Sequence, residues 1–235
     1  MQVVSYFYKT PNKAVDKANL IKELDRAKYM NQQYIAMAKE YLQSISMNGR
    51  VAVLYAGGAT ISNSEGRNSK DKGEYALASL DTGLAIRELS SHNMHKYIGM
   101  LKDRNKVVYA NINANACASS MYTLYEAERL MEHEGIDEVV VITEDMISYN
   151  TIRVFDEHNI PVIAGDGLAI MHLSKEHGNG PVIADTEWGY DYNRNPFAVT
   201  KEGYSSVAKS RVIDNITNRF TKLSDNDLLR LIHRV

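Results

Sequence analysis

The stretch NINANACASSMYTLYEAERLM, residues 111–131, holds the chain's single cysteine, Cys117, between a run that reads as a strand and a run with helical spacing. KVVYANINA (106–114) reads as the strand, and Cys117 opens the helix, which continues through Ala127, Leu130 and Met131 to a stop at Gly135. The first N–H groups of a helix lack intrahelical partners and sit at the positive end of its dipole. They therefore stabilise a thiolate, and they can hold the oxyanion formed by attack on a thioester. Ala116, Ala118, Ser119 and Ser120 are small enough for an acyl chain to come close. The same surroundings equally suit a buried cysteine acting as a small hydrophobe. Periodicity alone leaves both readings open.

Upstream, Ala18, Ile21, Leu24, Ala27, Tyr34, Ile35, Ala38 and Leu42 recur at helical spacing across 14–46, after an extended start at 2–8. Asn48-Gly49 stops that helix, and VAVLYAG (51–57) is a short apolar run of the central-strand type. A polar loop is expected at 62–72. Helical spacing returns through Leu77, Leu80, Leu84, Ile86 and Leu89, with a second short helix at 95–101. Downstream of the cysteine helix come DEVVVITED (137–145) as a buried strand, a helix at 149–158, and IPVIAGDGLAIMHL (160–173) as two apolar runs around a glycine turn. Strands alternating with helices predict a mostly parallel α/β sheet covered on both faces, with the last neighbouring runs forming an antiparallel edge. Residues 181–200 read as a strand and a long loop, and 202–235 as two helical pieces parted near Ser224, an N-cap with Asp227 three residues on.

The 27 basic and 29 acidic residues are mixed along the chain and give a net charge of -2, which excludes the basic stripe of a phosphate-tracking protein and argues against nucleic-acid binding. One cysteine makes no internal disulfide, and MQVVSYFYKTPNKAVDK lacks the basic-then-apolar order of a signal peptide, so a cytoplasmic location is expected. The apolar run 161–173 is too short for a bilayer and is broken by Gly-Asp-Gly. No His or Cys pair stands at metal-ligand spacing. His92 and His95 lie near a helix end from which they could approach the cysteine strand. His172 reads as a core or edge residue, and His133, His158 and His233 fall on charged helix ends. Gly57-Gly58 reads as a tight turn rather than a phosphate cradle, and Glu144 as structural, since adjacent Asp145 points to the other side of the strand.

NACASSMYTLYEAERLM resembles the nucleophile segment of the β-ketoacyl synthases, members of the thiolase-like condensing enzymes, in which Ala-Cys-Ala-Ser opens a helix of this form. DEVVVITED is similar to the family's next strand, which typically ends in Gly-Gly-Ala-Glu; here Ile142 and Thr143 replace the glycines before Glu144. AGDGLAIMHL, with Asp166, resembles the Gly-Asp-Gly-Ala-Ala strand, while GPVIADTEWGYDYN and VTKEGYSSVAKS resemble the strand, loop and Gly-anchored helix that follow. The resemblance covers 51–211 and matches the first of the family's two similar halves.

It implies a single domain over 1–235 with a thiolase-like half-fold: a five-stranded mixed sheet with helices on both faces and extra helices at 1–50 and 212–235. It implies Cys117 as the catalytic residue, accepting an acyl group from acyl-CoA or acyl carrier protein, with no bound cofactor and no metal. The family's condensation step uses a His-His or His-Asn pair from the second half. His177 in KEHGNGP (175–181) superficially resembles the family's His-Gly-Thr-Gly-Thr, but it follows the Gly-Asp-Gly strand directly, where a solvated loop is expected. Condensation would then need a homodimer, or a heterodimer with a second-half or full-length condensing enzyme, through the family's dimer strand, here KVVYANINA. The alternative reading is a non-catalytic scaffold that dimerises and shapes a partner synthase.

Overall fold

The computed structural model describes residues 1–10, 34–57, 91, 93–113, 119–145, 166–184, 186, 199–200 and 203–204. The chain divides into two compact units, Met1–Trp188 and Gly189–Val235.

In the first unit the strands are β1 (Gln2–Lys9), β2 (Val51–Gly57), β3 (Val107–Asn113), β4 (Glu138–Asp145) and β5 (Gly167–Ser174). Residues 34–44 form α1, residues 93–100 form α2 and Ser119–His133 form α3. The five strands make one sheet in the order β1-β5-β4-β2-β3. β2 pairs in parallel with both β3 and β4, whereas β5 pairs antiparallel with both β4 and β1. Four strands thus share one direction and β5 alone opposes them. The fold is α/β with a mixed five-stranded sheet and helices on both faces.

VAVLYAG shows no alternation because both of its faces are covered: all seven residues of β2 are buried. Val51, Val53 and Tyr55 join Val140, Ile142, Leu168 and Ile170 under α1 and α2, which contribute Tyr34, Ala38, Leu42, Met94 and Tyr97. Ala52, Leu54, Val139, Val141 and Leu173 face Ala127, Leu130 and Met131 of α3. Tyr34, Ala38 and Leu42 stand at successive i, i+4 positions, so they form one stripe on α1. Each fully buried aliphatic or aromatic side chain of this kind contributes roughly 1.5–3 kcal/mol.

Of the two predicted glycine stops, Gly135 follows the end of α3, whereas α1 ends at residue 44 and Gly49 lies beyond it, just before β2. Gly49 and Gly135 have φ of 66° and 64°, the left-handed region that ends helices and makes tight turns. Beyond Gly49, the Arg50 amide donates to Asp137 Oδ2 at 2.7 Å, and Arg50 Nη1 donates to the Glu134 carbonyl at 3.0 Å. This joins the start of β2 to the loop between α3 and β4.

Two expectations change. The antiparallel strand is interior rather than an edge, because β1 pairs along its free side from Gln2↔Ser174 to Lys9↔Leu168. The opening segment, expected as a helical extension, therefore also supplies a strand to the sheet. A register shift between Val3 and Ser5 lets Val3 pack on the α3 side while Phe7 packs on the α1 side. Secondly, the HGNGP loop, largely exposed as expected, is also tied to β1 through its backbone. Gly180 N–H donates to the Val3 carbonyl and Val3 N–H to the Pro181 carbonyl, both at 3.0 Å, and a Cβ at Gly180 would lie 2.5 Å from that Val3 oxygen.

In the second unit, Val199–Thr200, expected as loop, pairs antiparallel with Gly203–Tyr204, expected as helix, so both are short strands, β6 and β7. The loop expected at 62–72 and the helices expected at 74–89, 149–158 and beyond 204 lie outside the described residues.

Candidate functional site

Parallel strands β2, β3 and β4 end on the same side of the sheet, the end at which open α/β sheets bind ligands. The expected nucleophile, Cys117, belongs to the connection 114–118, which lies outside the described residues. Its two ends are described: Asn113, the buried last residue of β3, and Ser119, buried in α3.

A polar network laces those ends together. Asn113 Nδ2 donates to Thr123 Oγ1 at 3.2 Å and to Glu126 Oε2 at 2.5 Å. Thr123 Oγ1 donates to the Ser119 carbonyl at 2.7 Å. Glu126 Oε1 accepts from Asn111 Nδ2 at 2.8 Å and from the Tyr109 hydroxyl at 3.0 Å. Tyr109, Asn111 and Asn113 recur at a spacing of two, so one face of β3 presents three donors to a helical carboxylate. Burial, the hydrogen bond to Glu126 and that residue's charge push the Tyr109 hydroxyl up to about 12 from 10.0.

The sign of the consequence is fixed. The folded state holds this proton longer than the unfolded chain, so the contribution is complete below pH 10.0 and is lost as pH rises through about 12. Tyr109→Phe is expected to flatten the alkaline loss of stability across that window, read from urea midpoints at successive pH values. An unchanged slope would show that Tyr109 is not protonated preferentially in the fold.

Under the α1 and α2 side of the same sheet end, the Tyr55 hydroxyl donates to Glu144 Oε2 at 2.8 Å. Glu144 is buried while Asp145 is exposed, which agrees with the opposite orientations expected of neighbours in a strand. Tyr97 stacks on Tyr55 with ring centroids 6.3 Å apart. Burial, followed by the charge of Glu144, raises the Tyr97 pKa; its hydroxyl lies near that carboxylate without a well-formed hydrogen bond among the described residues. Burial and then the charge of Asp166 likewise raise the Tyr34 pKa. Asp166 of the Gly-Asp-Gly turn is buried at the start of β5, so it faces the same end as Glu144, with which Leu168 is paired.

At the opposite end of β4, sequence reasoning missed Glu138. Its carboxylate is 1% exposed and is shared by two histidines, His172 Nε2 at 2.8 Å and His177 Nε2 at 3.2 Å. His172 is a satisfied core residue, as its place on an apolar strand suggested. His177 is 57% exposed at the side chain and holds the outer oxygen of the same carboxylate. The signal was available: Glu138 has the parity of Val140 and Ile142, whose side chains enter the core, so a carboxylate there requires a partner. His95 and His133 are exposed; His92, His158, His233 and Gly58 lie outside the described residues. Among the described residues no group is placed to hold a metal ion, and no helix is long and apolar enough to cross a membrane.

A strand leading to the cysteine segment, a helix leaving it, and a Gly-Asp-Gly strand returning antiparallel beside β4 set the comparison. Solved structures of ketosynthases and of a β-ketoacyl synthase are similar to part of this chain at low identity. The ishigamide ketosynthase/chain length factor is 16% identical over 59% of this chain and 39% of its own, with a TM-score of 0.36. For β-ketoacyl-[acyl carrier protein] synthase III from Thermus thermophilus the identity is 15%, over 74% of this chain and 51% of that one, with a TM-score of 0.37. The ketosynthase ApeO in complex with its chain length factor ApeC, from Xenorhabdus doucetiae, gives 12% identity, 75% and 79% coverage, and a TM-score of 0.40. The chain spans about half the length of the Thermus synthase and less of the ishigamide protein. No protein-family model matches the sequence, and no curated protein sequence does.

Proposed function

We propose that the protein is a ketoacyl-synthase-like acyltransferase that accepts an acyl group from acyl-CoA or acyl carrier protein on Cys117. The observation that carries this reading is the Ala-Cys-Ala-Ser sequence in the stretch that follows β3, a strand whose carboxyl end lies beside that of parallel β2. In the proposed step the thiolate sulfur attacks the thioester carbonyl carbon and forms a new C–S bond. The donor's C–S bond breaks, and the departing thiol takes up the proton that the cysteine released. N–H groups at the start of the cysteine helix stabilise the oxyanion.

The test is intact mass after incubation with acyl-CoA or acyl carrier protein thioesters. Wild type should gain one acyl group and Cys117→Ala none. No Cys117-dependent adduct, even with the products of neighbouring genes present, removes the acylation reading.

Condensation would draw its second-half histidine pair from a partner chain, either a second copy or a heterodimeric condensing enzyme. The sheet edge supports such pairing: β3 is terminal in the strand order, with Val108 54% and Tyr109 38% exposed. Unpaired edge strands bearing apolar side chains are templates for strand pairing. Sedimentation at micromolar concentration should show a dimer, and Val108→Lys should shift it to monomer; a wild-type monomer counts against the pairing. A dimer that never loads an acyl group would favour the scaffold reading.

A further inference from the structure

We infer that residues 177–183 are an edge guard: they occupy the outer side of β1, so that β3 is the edge left open to a second copy of this chain. This deepens the reading of β3 as the pairing strand and rests on it for the identity of the open edge. The five-stranded sheet has two terminal strands, β1 and β3. Pairing through one edge about a two-fold axis closes a dimer, but that dimer carries a copy of the other edge at each end. Were β1 open, dimers would join through it into an open-ended fibre.

Gln2 is bridged on both sides, by Ser174 of β5 and by Val182 of the guard. Around that bridge the Ile183 amide donates to the Met1 carbonyl at 2.9 Å, the Val3 amide to the Pro181 carbonyl at 3.0 Å, and the Gly180 amide to the Val3 carbonyl at 3.0 Å. Pro181 has no amide proton to offer Val3, and Gly180 supplies one instead. The approach is close: a Cβ at Gly180 would lie 2.5 Å from the Val3 oxygen, and one at Gly178 2.8 Å from it. The guard's own outer edge is a single bridge beside a proline, a poor template for further pairing. Past Val3, β1 carries a register shift and ends on Lys9, two more features that discourage pairing.

Side chains hold the guard in place. Ser174 Oγ accepts the Glu176 and His177 amides, each at 3.3 Å, and so turns the chain out of β5. His177 Nε2 then meets Glu138 Oε1 at 3.2 Å, so the buried carboxylate that partners His172 also anchors the guard. Beyond it, the Thr186 amide donates to Glu128 Oε2 of α3 at 2.9 Å. β3 has a register shift of its own, opposite Val51 and Ala52, but among the described residues no segment bridges its outer side, and its Val108 is 54% exposed.

The experiment compares the full chain as wild type, as Gly180→Val, and as Gly180→Val combined with Val108→Lys. Sedimentation velocity from micromolar concentration upward gives size, hydrogen exchange at Val3 reports the guard, and circular dichroism establishes the fold. Wild type should remain a dimer at every concentration. Gly180→Val should exchange at Val3 roughly twofold to tenfold faster, the scale of one lost hydrogen bond, and should grow beyond the dimer as concentration rises. Adding Val108→Lys should stop growth at a dimer, because β1 is then the open edge. A folded Gly180→Val chain that keeps wild-type size, or wild-type exchange at Val3, overturns the inference. Growth beyond a dimer in the doubly substituted chain also overturns it, since that association would use neither edge alone. Should Gly180→Val not fold, Gly178→Val takes its place with the same expected and overturning results. A monomeric wild type whose Gly180→Val variant dimerises would remove β3 as the pairing edge while leaving the guard supported.

Discussion

Glu138→Ala lowers the unfolding free energy by about 3 kcal/mol, the scale found when a buried hydrogen-bonding group loses a charged partner. The carboxylate is 1% exposed and His172 is 2% exposed, so the imidazole left behind has no solvent to replace its 2.8 Å partner. Glu138→Gln keeps one acceptor oxygen and should cost less, about 1–3 kcal/mol. His177→Ala removes the exposed arm of the cluster and should cost under about 1 kcal/mol, as surface pairs do. The double substitution Glu138→Leu with His172→Leu should recover much of the loss, since apolar replacement of both partners of a buried pair is often neutral. Urea unfolding of these four variants and of the single substitutions Glu138→Leu and His172→Leu measures this, with the coupling energy taken from the double-mutant cycle. A loss below about 1 kcal/mol for Glu138→Ala would mean that the pair does not anchor β4 to β5.

Gly49→Ala should cost roughly 1–3 kcal/mol for a side chain in the left-handed region, and about 1 kcal/mol more for a displaced hydrogen bond. The backbone term follows from φ of 66°. The second follows from crowding: an added Cβ would lie 2.1 Å from Asp137 Oδ2, the oxygen that accepts the Arg50 amide. The two contributions separate in an Asp137→Ala background, where the hydrogen bond is already gone and Gly49→Ala should cost only the backbone part. Equal costs in both backgrounds would show that Asp137 moves aside freely.

The elements around Cys117 were legible because their signals are local. VAVLYAG, KVVYANINA and DEVVVITED are short apolar or β-branched runs bounded by turn residues, and each is a strand. Ala127, Leu130 and Met131 keep helical spacing and pack in α3. Gly135 follows α3 and Gly49 turns the chain before β2, each for the conformational reason that made it conspicuous in the sequence. What the Ala-Cys-Ala-Ser resemblance added was an expected family of folds. It did not place Cys117, whose position lies outside the described residues.

Local pattern also explains the errors. GLAIMHLS announces a strand but not its neighbours, and only the pairing of β1 along its free side made it interior. Glu138, His172 and His177 carry no common motif, because 34 and 39 residues separate the carboxylate from its two partners. Tyr55 meets Glu144 across 89 residues. Sequence by itself determined which segments are strands and helices, where glycine stops them, and which face of each seeks the core, since periodicity and backbone sterics act within a few residues. Only the tertiary structure decided the order of strands and which buried carboxylates found donors. Those depend on register between distant segments, and a carboxylate on a core face is tolerated only where that register delivers it a partner.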